Sequence, residues 1–332
     1  MSEFKNLHSN QKIVILEMLM RGINIEIFDE ENEIIKATYE NHIEYLLDRD
    51  SSIMPYNMSI IAGNKFYTKR ILSENNINVP NGKIFNADEF ENIISYINTL
   101  NYSVVIKPVF GSHGYDIFMD IKNKQDIIYA LEIIIKNNGN CQVLIEEFFD
   151  ANEYRVFYTK NDDYAVLWRK PASVIGDGKN SIFQLIEKEN YKRMNPRKNT
   201  MCKIYKDEIM DMFLEKRGIS YDYIPLENEE VQVRPNSNIA LGGTPIDQTE
   251  VVHPSVLKIC KNILNSFPGV PYLGIDFMTK DISQEQSFND YRIIEVNTVP
   301  GVDMHFRPGI GEPRNIAKYM VDLIFPETKK SN

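Results

Sequence analysis

The chain has 332 residues, of which 43% are hydrophobic and 25% charged, so it can bury a large core and is expected to form two or three domains. Its 37 basic and 47 acidic side chains leave a formal charge of −10, which repels phosphate backbones and disfavours nucleic-acid binding. Because no apolar run approaches the roughly 18 residues of a membrane helix and the first residues lack the apolar core of a secretory signal, we expect a cytoplasmic protein that binds no membrane.

The first part of the chain predicts a small α/β unit. Apolar residues at helical spacing predict a helix over 13–20 that ends at Gly22. Short apolar runs then predict strands over 23–28 and 43–47, and a helix is predicted over 65–75. A domain boundary is therefore expected near residue 63.

The middle of the chain predicts an αβ layer followed by an antiparallel hairpin. The predicted elements of the layer are a helix over 87–100, a strand over 103–107, a helix over 127–135 and a strand over 143–145. Alternating apolar residues predict hairpin strands over 154–158 and 164–168, joined by the turn Asn161-Asp162-Asp163.

Helices, a hairpin and a closing helix are predicted for the rest of the chain. The helices cover 181–190 and 207–216. The hairpin pairs 272–279 with 291–297, and the closing helix covers 313–325.

Three oxygen-bearing side chains lie on the two strands of the last predicted hairpin. Glu295 and Asn297 are two residues apart, so they share one face of their strand, and Asp276 lies on the preceding strand. If the strands pair, the three side chains form an all-oxygen cluster, which suits Mg²⁺ better than zinc. A salt bridge to a nearby arginine, such as Arg292 or Arg307, is the alternative.

A lysine and a glycine-flanked loop follow the buried strand over 103–107. Lys107 ends this strand, and the backbone N–H groups of the loop Gly111-Ser112-His113-Gly114 can fold over a polyphosphate. The order of residues matches neither common nucleotide-loop motif. An ordinary strand-to-turn junction with a lysine that reaches solvent is the alternative.

A strand with paired acids and aromatic residues comes next. The segment Glu146-Glu147-Phe148-Phe149 can present backbone groups and rings to an adenine, and Glu153 can accept hydrogen bonds from ribose hydroxyls. The alternative is a solvated acidic turn.

These pieces, in this order, resemble the ATP-grasp superfamily of carboxylate-amine ligases. Lys65, after Gly63-Asn64, resembles the first ATP lysine of the family, and the motifs VVIKP, GSHG and IEEFF resemble its second lysine, lid loop and adenine segment. The motifs LGIDFM and IIEVNTVPG resemble its two magnesium-bearing strands. The motifs RKPA, GDG, NIALGGTPID and MH are especially similar to the ATP-grasp part of cyanophycin synthetase and of the bifunctional glutamate-cysteine ligase/glutathione synthetase.

The resemblance implies an ATP-grasp fold of mixed α/β (α+β) class. It implies a pre-ATP-grasp α/β domain over 1–63, an N-subdomain over 64–150 with a lid loop over 110–116, a C-subdomain over 151–328 and a tail over 329–332. ATP is then expected between the two α+β subdomains.

The resemblance also implies an activity, in which a carboxylate becomes an acyl phosphate at the expense of ATP and an amine displaces phosphate to form an amide. The implied substrates are small molecules, either amino acids or short peptides, including γ-glutamyl peptides, and a homo-oligomer is expected. Narrower alternatives are a glutathione synthetase proper, a dipeptide ligase or an enzyme that adds one residue to a peptide-like metabolite. An ATP-binding module without turnover is the alternative from another class.

The site residues that the resemblance implies fall into four groups. Mg²⁺, or Mn²⁺ in its place, is expected on Asp276, Glu295 and Asn297. ATP is expected to contact Lys65, Lys107, Gly111, Ser112, His113, Gly114, Glu146, Glu147, Phe148, Phe149 and Glu153. Substrate is expected to contact Arg155, Arg169, Asn238, His305 and Arg307, and the catalytic residues are expected to be Arg234 and Lys107. For the arginines, exposed surface ion pairs are the alternative.

The chain departs from the family pattern at several places. Tyr115-Asp116 stands where relatives often carry Arg-Gly, and Asn64 stands where Asp is common beside the first lysine. The chain shows neither the Mur-ligase-like domain nor the separate ligase domain of the two larger enzymes, so one bond type is expected.

Overall fold

The computed structural model describes Phe4 and residues 6–110, 115–194 and 201–329. The helices of these residues are α1 (Ser9–Met20), α2 (Tyr56–Gly63), α3 (Lys65–Glu74), α4 (Phe90–Asn98), α5 (Lys124–Asn138), α6 (Ile182–Arg193), α7 (Glu208–Lys216), α8 (Pro254–Asn265), α9 (Asp303–Phe306) and α10 (Ile316–Ile324). Short 3₁₀ turns cover Ile239–Leu241 and Pro326–Thr328.

The strands of the described residues are β1 (Asn24–Asp29), β2 (Ile34–Tyr39), β3 (His42–Leu47), β4 (Gly82–Asn86), β5 (Val104–Pro108), β6 (Phe118–Ile121), β7 (Gln142–Glu147), β8 (Asn152–Thr159), β9 (Tyr164–Lys170), β10 (Ser173–Ile175), β11 (Glu230–Gln232), β12 (Thr244–Asp247), β13 (Tyr272–Thr279) and β14 (Tyr291–Asn297). Every predicted helix and strand overlaps one of these elements. The elements that were not predicted are α2, α8, α9, β2, β4, β6, β10, β11 and β12.

The chain folds into two compact units, each built from separate stretches of sequence. Unit 1 comprises Met1–Asn78, Tyr154–Leu167 and Asp247–Asn332, and unit 2 comprises Val79–Glu153 and Trp168–Ile246. The predicted domains are instead continuous along the chain, and that division stays a prediction.

An antiparallel hairpin in unit 1 carries the three predicted metal ligands. It belongs to a five-stranded sheet with the order β12-β9-β8-β13-β14, and the predicted pairing of β13 with β14 is confirmed. Asp276 lies opposite Glu295 and Gly274 lies opposite Asn297, with a register shift immediately after Asp276. Since side chains alternate between the two faces of a strand, this register decides which side chains meet.

The residue before α3 positions Lys65. The side chain of Asn64 accepts hydrogen bonds from the backbone N–H groups of Phe66 and Tyr67, at 2.9 and 3.2 Å, and so caps the helix. Asparagine and aspartate are about equally good N-caps, so Asn64 serves as well here as the aspartate of the family pattern. Lys65 is consequently the first residue of the helix.

Unit 2 contains a four-stranded sheet with the order β4-β7-β5-β6, covered by α4 and α5. All five residues of β5, Val104–Pro108, are buried, which explains why this strand is a continuous apolar run up to its lysine. Buried isoleucines of the two helices, among them Ile93, Ile127 and Ile134, complete the core. The predicted αβ layer is therefore confirmed.

A buried arginine joins the first and last long helices of unit 1. Arg21, at the end of α1, contacts Asp322 of α10 at 2.6 Å and Glu17 at 2.7 Å, and it donates to the carbonyl of Lys318 at 2.9 Å. Such a network holds the two helices in register.

None of the helices in the described part of the chain combines the length and the apolar composition that crossing a membrane requires.

Candidate active site

The hairpin of β13 and β14 brings the three predicted metal ligands together. Asp276 and Glu295 are directly opposite each other, where side chains on one face of an antiparallel pair are about 5 Å apart at Cβ. The amide of Asn297 donates to Glu295 at 3.3 Å. Asp276 is buried, whereas the side chain of Glu295 keeps 30% of its exposure. The cluster thus has one open side.

The first predicted ATP lysine reaches this cluster. The ammonium of Lys65 lies 3.9 Å from a carboxylate oxygen of Glu295. A cation and a carboxylate from sequence positions 230 residues apart therefore meet within unit 1. This is the kind of mixed-charge site in which a polyphosphate and a divalent cation can balance one another.

Asp276 also forms an ion pair with Arg155, a partner that the salt-bridge alternative did not name. Arg155 lies on β8, next to β13, and its Nε and Nη2 contact the two oxygens of Asp276 at 2.5 and 3.2 Å. Gly274 lies beside this pair: a Cβ there would be in ordinary contact with the Arg155 guanidinium, at 3.4 Å, but too close to Pro300, at 2.7 Å. Arg155 therefore holds the carboxylate of Asp276 from the neighbouring strand.

The donor chemistry of the hairpin fits Mg²⁺. The described residues contain no group of three or more His, Cys, Asp or Glu side chains that could hold a metal by themselves. Mg²⁺, however, usually takes only one or two carboxylates from the protein and completes its shell with water and substrate phosphate oxygens. Two carboxylates and an amide on one face meet that requirement, with Arg155 as the neighbour that orients Asp276.

The second predicted ATP lysine is buried in unit 2. Lys107, at the end of β5, forms an ion pair with Glu146 of the adjacent strand β7, and both residues are less than 5% exposed. A buried charge is tolerated only when it is paired, so each of the two holds the other in place. The contact brings together two residues that were both predicted to bind ATP.

The predicted adenine segment follows Glu146. The backbone N–H groups of Glu147 and Phe148 donate to the carbonyls of Asn81 and Ser103, at 2.8 and 3.0 Å. These bonds anchor the segment to the β4 and β5 side of unit 2, while Phe148 and Phe149 are half-buried. A ring at this place can pack on an adenine, and that role stays a prediction.

Glu153 is held by two side chains. One of its oxygens contacts Arg169 at 2.6 Å, and the other accepts a hydrogen bond from the hydroxyl of Ser237. Glu153, predicted to bind ribose, is therefore in direct contact with Arg169, predicted to bind substrate. Their binding roles stay predictions.

Arg234, predicted to be catalytic, is fully buried. Its guanidinium donates to both oxygens of Asp207, at 2.7 and 3.0 Å, and to the carbonyl of Tyr205 at 2.6 Å. Asp207 is also the N-cap of α7, so the pair fixes the start of that helix. Asn238 has a similar local contact, since its side chain accepts from the backbone of Ala240 at 2.8 Å. Contact of either residue with substrate stays a prediction.

The sequence of the chain is similar to known families and proteins. A family model described as a RimK-like ATP-grasp domain matches residues 62–169, and an ATP-grasp-like domain matches residues 9–49. The chain is 34% identical, over 97% of its length, to the glutathione biosynthesis bifunctional protein GshAB of Clostridium perfringens, of which it covers 42%. It is 32% identical, over 80% of its length, to the cyanophycin synthetase of Trichormus variabilis, of which it covers 29%.

A solved structure extends the likeness to the fold. The crystal structure of a bifunctional glutathione synthetase from Pasteurella multocida matches 98% of this chain and 45% of its own, with 30% identity and a TM-score of 0.70. The chain has the ATP-grasp fold and carries a RimK-like ATP-grasp domain. The predicted ATP-grasp fold and the resemblance to both groups of relatives are thus confirmed, although the chain spans less than half the length of these relatives.

The predicted lid-loop residues Gly111-Ser112-His113-Gly114 lie outside the described residues, and both the lid role and the contact with phosphate stay predictions. The residues that follow the loop are described. The ring of Tyr115 meets that of Tyr205 edge-on at 6.2 Å, and Asp116 accepts hydrogen bonds from Asn137 and Asn138, both at 2.8 Å. Where the family often has Arg-Gly, this chain therefore ties the loop's base to the end of α5.

His305 is a buried imidazole in the ATP-grasp segment that follows β14. It is 1% exposed, and neither ring nitrogen has a hydrogen-bond partner within the described residues. Burial lowers its pKa from 6.5 to about 3, and the positive charge of Arg155 acts in the same direction. The ring is therefore neutral at pH 7, with an unused donor and an unused acceptor. Arg307, two residues on, lies with its guanidinium 6.0 Å from the ring of Phe306.

We expect His305 to make the protein sensitive to acid. A histidine whose folded pKa lies below its unfolded pKa of 6.5 contributes stability that is complete above pH 6.5 and is lost as the pH falls toward 3. By that linkage, the free energy of unfolding at pH 5 should be about 2 kcal/mol lower than at pH 7.5 on account of this residue. Urea unfolding at the two pH values should show a smaller difference for His305→Asn than for the native chain.

His42 serves as the control for this pH dependence, because its pKa is shifted in the opposite direction. Burial opposes its protonation, but Glu327 at 2.7 Å and Glu44 at 3.2 Å raise its pKa above 6.5. Its contribution is therefore present below pH 6.5 and is lost as the pH rises through the raised value. His42→Gln should change the pH profile in the opposite sense, and equal profiles for all three proteins would contradict the assignment of His305.

Two residues that contact predicted site residues were not themselves predicted as site residues. They are Ser237, which contacts Glu153, and Asp207, which contacts Arg234. The sequence carries a signal for Asp207, because an aspartate that starts a predicted helix is a common N-cap. Nothing local marks Ser237 as the partner of a glutamate 84 residues away.

Proposed function

We propose that the chain is an ATP-dependent carboxylate-amine ligase that forms an amide through an acyl phosphate and releases ADP and phosphate. The observation that carries the proposal is the meeting of Asp276, Glu295, Asn297 and Lys65 on one hairpin face, in a chain with the ATP-grasp fold. The two relatives, a glutathione biosynthesis protein and a cyanophycin synthetase, carry the names of synthetic enzymes.

The proposed mechanism uses charge and position, with no protein nucleophile. Mg²⁺, when bound to Asp276, Glu295 and Asn297, would neutralise charge on the transferred phosphoryl group. Lys65 and Lys107 would hold phosphate oxygens of ATP, and Glu153 would accept hydrogen bonds from the ribose. Arg234 would act with Lys107 on the developing charge at the reacting carboxylate.

The proposed substrates are amino acids or short peptides, including γ-glutamyl peptides. Arg155, Arg169 and Arg307 are the proposed partners of substrate carboxylates, because a planar guanidinium binds a carboxylate through two parallel hydrogen bonds. His305, with both ring nitrogens available, and Asn238 are proposed to contact the other polar groups of the substrate. A glutathione synthetase proper is one narrow form of this proposal and is not favoured over the general one.

The experiment is a screen for phosphate release. The purified chain would be given ATP, Mg²⁺ or Mn²⁺, and pairs drawn from the amino acids and short γ-glutamyl peptides. Phosphate release that needs both members of a pair, with a product whose mass equals their sum less one water, would support the proposal. Consumption of γ-glutamylcysteine together with glycine would select the glutathione synthetase form, and joining of two free amino acids would select the dipeptide ligase form.

Two results would count against the ligase. ATP binding by calorimetry without phosphate release for any pair would favour an ATP-binding module instead. Phosphate release that no carboxylate stimulates would indicate a simple ATPase. We also propose that the protein forms a homo-oligomer and lies in the cytoplasm.

A further inference from the structure

The segment between β14 and α9 connects the proposed metal ligands to His305. This connecting loop, defined here as residues 298–303, begins directly after Asn297 and includes Asp303, the first residue of α9, which is two residues before His305. Its sequence Thr-Val-Pro-Gly-Val-Asp contains a proline, which has no backbone N–H, and a glycine, which adds freedom. A loop of this composition needs partners from elsewhere to hold one conformation.

Three places in the first 63 residues supply those partners. Arg49 donates to the carbonyls of Pro300 and Val299, at 3.2 and 3.3 Å. The side-chain oxygen of Asn10 accepts from the N–H groups of Val302 and Asp303, at 2.6 and 2.8 Å. The hydroxyl of Ser59 contacts that of Thr298 at 2.9 Å.

Arg49 is the central contact of this set. Its side chain is 9% exposed, and its charge is balanced by Asp48 at 2.6 Å. A guanidinium has five N–H donors in a rigid fork, so it can bind two successive carbonyls in a way that a single ammonium cannot. Arg49 therefore fixes the direction of the peptide units on either side of Pro300.

A shift of the connecting loop would displace the proposed metal ligands by two routes. Pro300 lies over Gly274, where an added Cβ would be only 2.7 Å away, and Gly274 pairs with Asn297 and lies against Arg155. The other route is along the chain, since Thr298 is bonded directly to Asn297.

We propose that Arg49, supported by Asn10, is a positioning residue that holds the connecting loop so that Asn297 and Glu295 keep the geometry needed for Mg²⁺. The N-terminal segment then acts as part of the active site, a role that goes beyond a separate accessory domain. This inference rests on the proposed function for its kinetic test, and on the structure alone for its hydrogen-exchange test.

The variants are Arg49→Gln, Arg49→Lys and Asn10→Ala, with Arg21→Gln as the matched control. Arg21 is a buried arginine of the same N-terminal segment, but its partners are on α1 and α10 and not on the connecting loop. Its loss should weaken the fold without moving the loop. All variants would be compared at a temperature well below their unfolding transitions.

The first measurement is amide exchange of residues 298–303 by mass spectrometry. Arg49→Gln and Asn10→Ala should raise the exchange rate of this peptide about tenfold, as the loss of a hydrogen bond or two predicts, whereas Arg21→Gln should leave it unchanged. Unchanged exchange in both loop variants would overturn the proposal, whether or not the chain proves to be a ligase.

The second measurement is the Mg²⁺ concentration that gives half-maximal phosphate release. Removal of a group that orients metal ligands typically costs 10-fold to 100-fold in metal affinity or activity, so Arg49→Gln should raise this concentration at least about tenfold. Arg49→Lys should recover part of the loss, and Arg21→Gln should match the native value. Should the native chain show no turnover, the same Mg²⁺ titration would follow binding of a non-hydrolysable ATP analogue by calorimetry.

A purely structural role for Arg49 predicts a different pattern. Arg49→Gln and Arg21→Gln would then lower the midpoint of urea unfolding with the same half-saturating Mg²⁺ concentration in both. That result would overturn the proposal. If Arg49→Gln does not fold, Asn10→Ala tests the same loop through its two amide contacts.

Discussion

Replacing Glu295 by glutamine is expected to reduce ATP-dependent ligation by at least about a hundredfold and to leave the fold intact. The substitution removes the carboxylate that faces Asp276 and Lys65, and a metal ligand of this kind accounts for several kcal/mol of charge stabilisation in the transition state. The fold should tolerate it because the pair with Lys65 is long, at 3.9 Å, and because glutamine keeps the size and polarity of the side chain.

The measurement is phosphate release at saturating ATP, with urea unfolding in parallel. Glu285→Gln is the control, since Glu285 is an exposed carboxylate in the loop of the same hairpin. It should match the native rate. A Glu295→Gln variant that keeps more than about a tenth of the native rate would remove Glu295 from the proposed metal site.

Replacing Lys107 by methionine is expected to cost about 3–5 kcal/mol of stability, because it removes one partner of a buried ion pair and leaves the charge of Glu146 in the interior. The double variant Lys107→Met/Glu146→Leu removes both charges and should recover most of that loss, as a well-packed apolar pair often does. Stability should therefore fall in one variant and return in the other.

Measurement of ATP binding distinguishes two roles for Lys107, contact with ATP phosphates and stabilisation of the fold. If the lysine contacts ATP phosphates, calorimetry should show weak binding in both variants, including the stable double one. If the ion pair serves only the fold, the double variant should bind ATP as the native chain does. That second outcome would contradict the assignment of Lys107 to the nucleotide site.

Local patterns were enough to predict most of the secondary structure. The pairing of 272–279 with 291–297 could be predicted because both strands alternate, are close in sequence and are joined by a polar loop. Helix α2 could not be predicted in this way, because Ala62 is its one buried residue within Tyr56–Gly63 and it therefore has no apolar stripe. Strand β2 was missed although it is the middle strand of its sheet, between β1 and β3.

The partners of buried charges were much harder to predict. Asp276 and Glu295 could be placed together from strand period and hairpin pairing alone. The contact of Asp276 with Arg155 spans 121 residues, and that of Arg234 with Asp207 depends on how α7 packs. The tertiary fold decides which charged side chains pair at such separations. The sequence therefore indicated the arginines as site residues but not the acidic residues that pair with them.

The interleaving of the two units has a consequence for biosynthesis. Unit 2 draws on no residue beyond Ile246, whereas unit 1 needs the stretch that starts at Asp247 to supply β13, β14 and α10. During translation, the amino-terminal helix α1 therefore emerges from the ribosome long before Asp322, the partner of Arg21, has been made. We expect nascent chains to expose the apolar side of α1 for most of their synthesis, and to depend on chaperones or slow growth for a good yield.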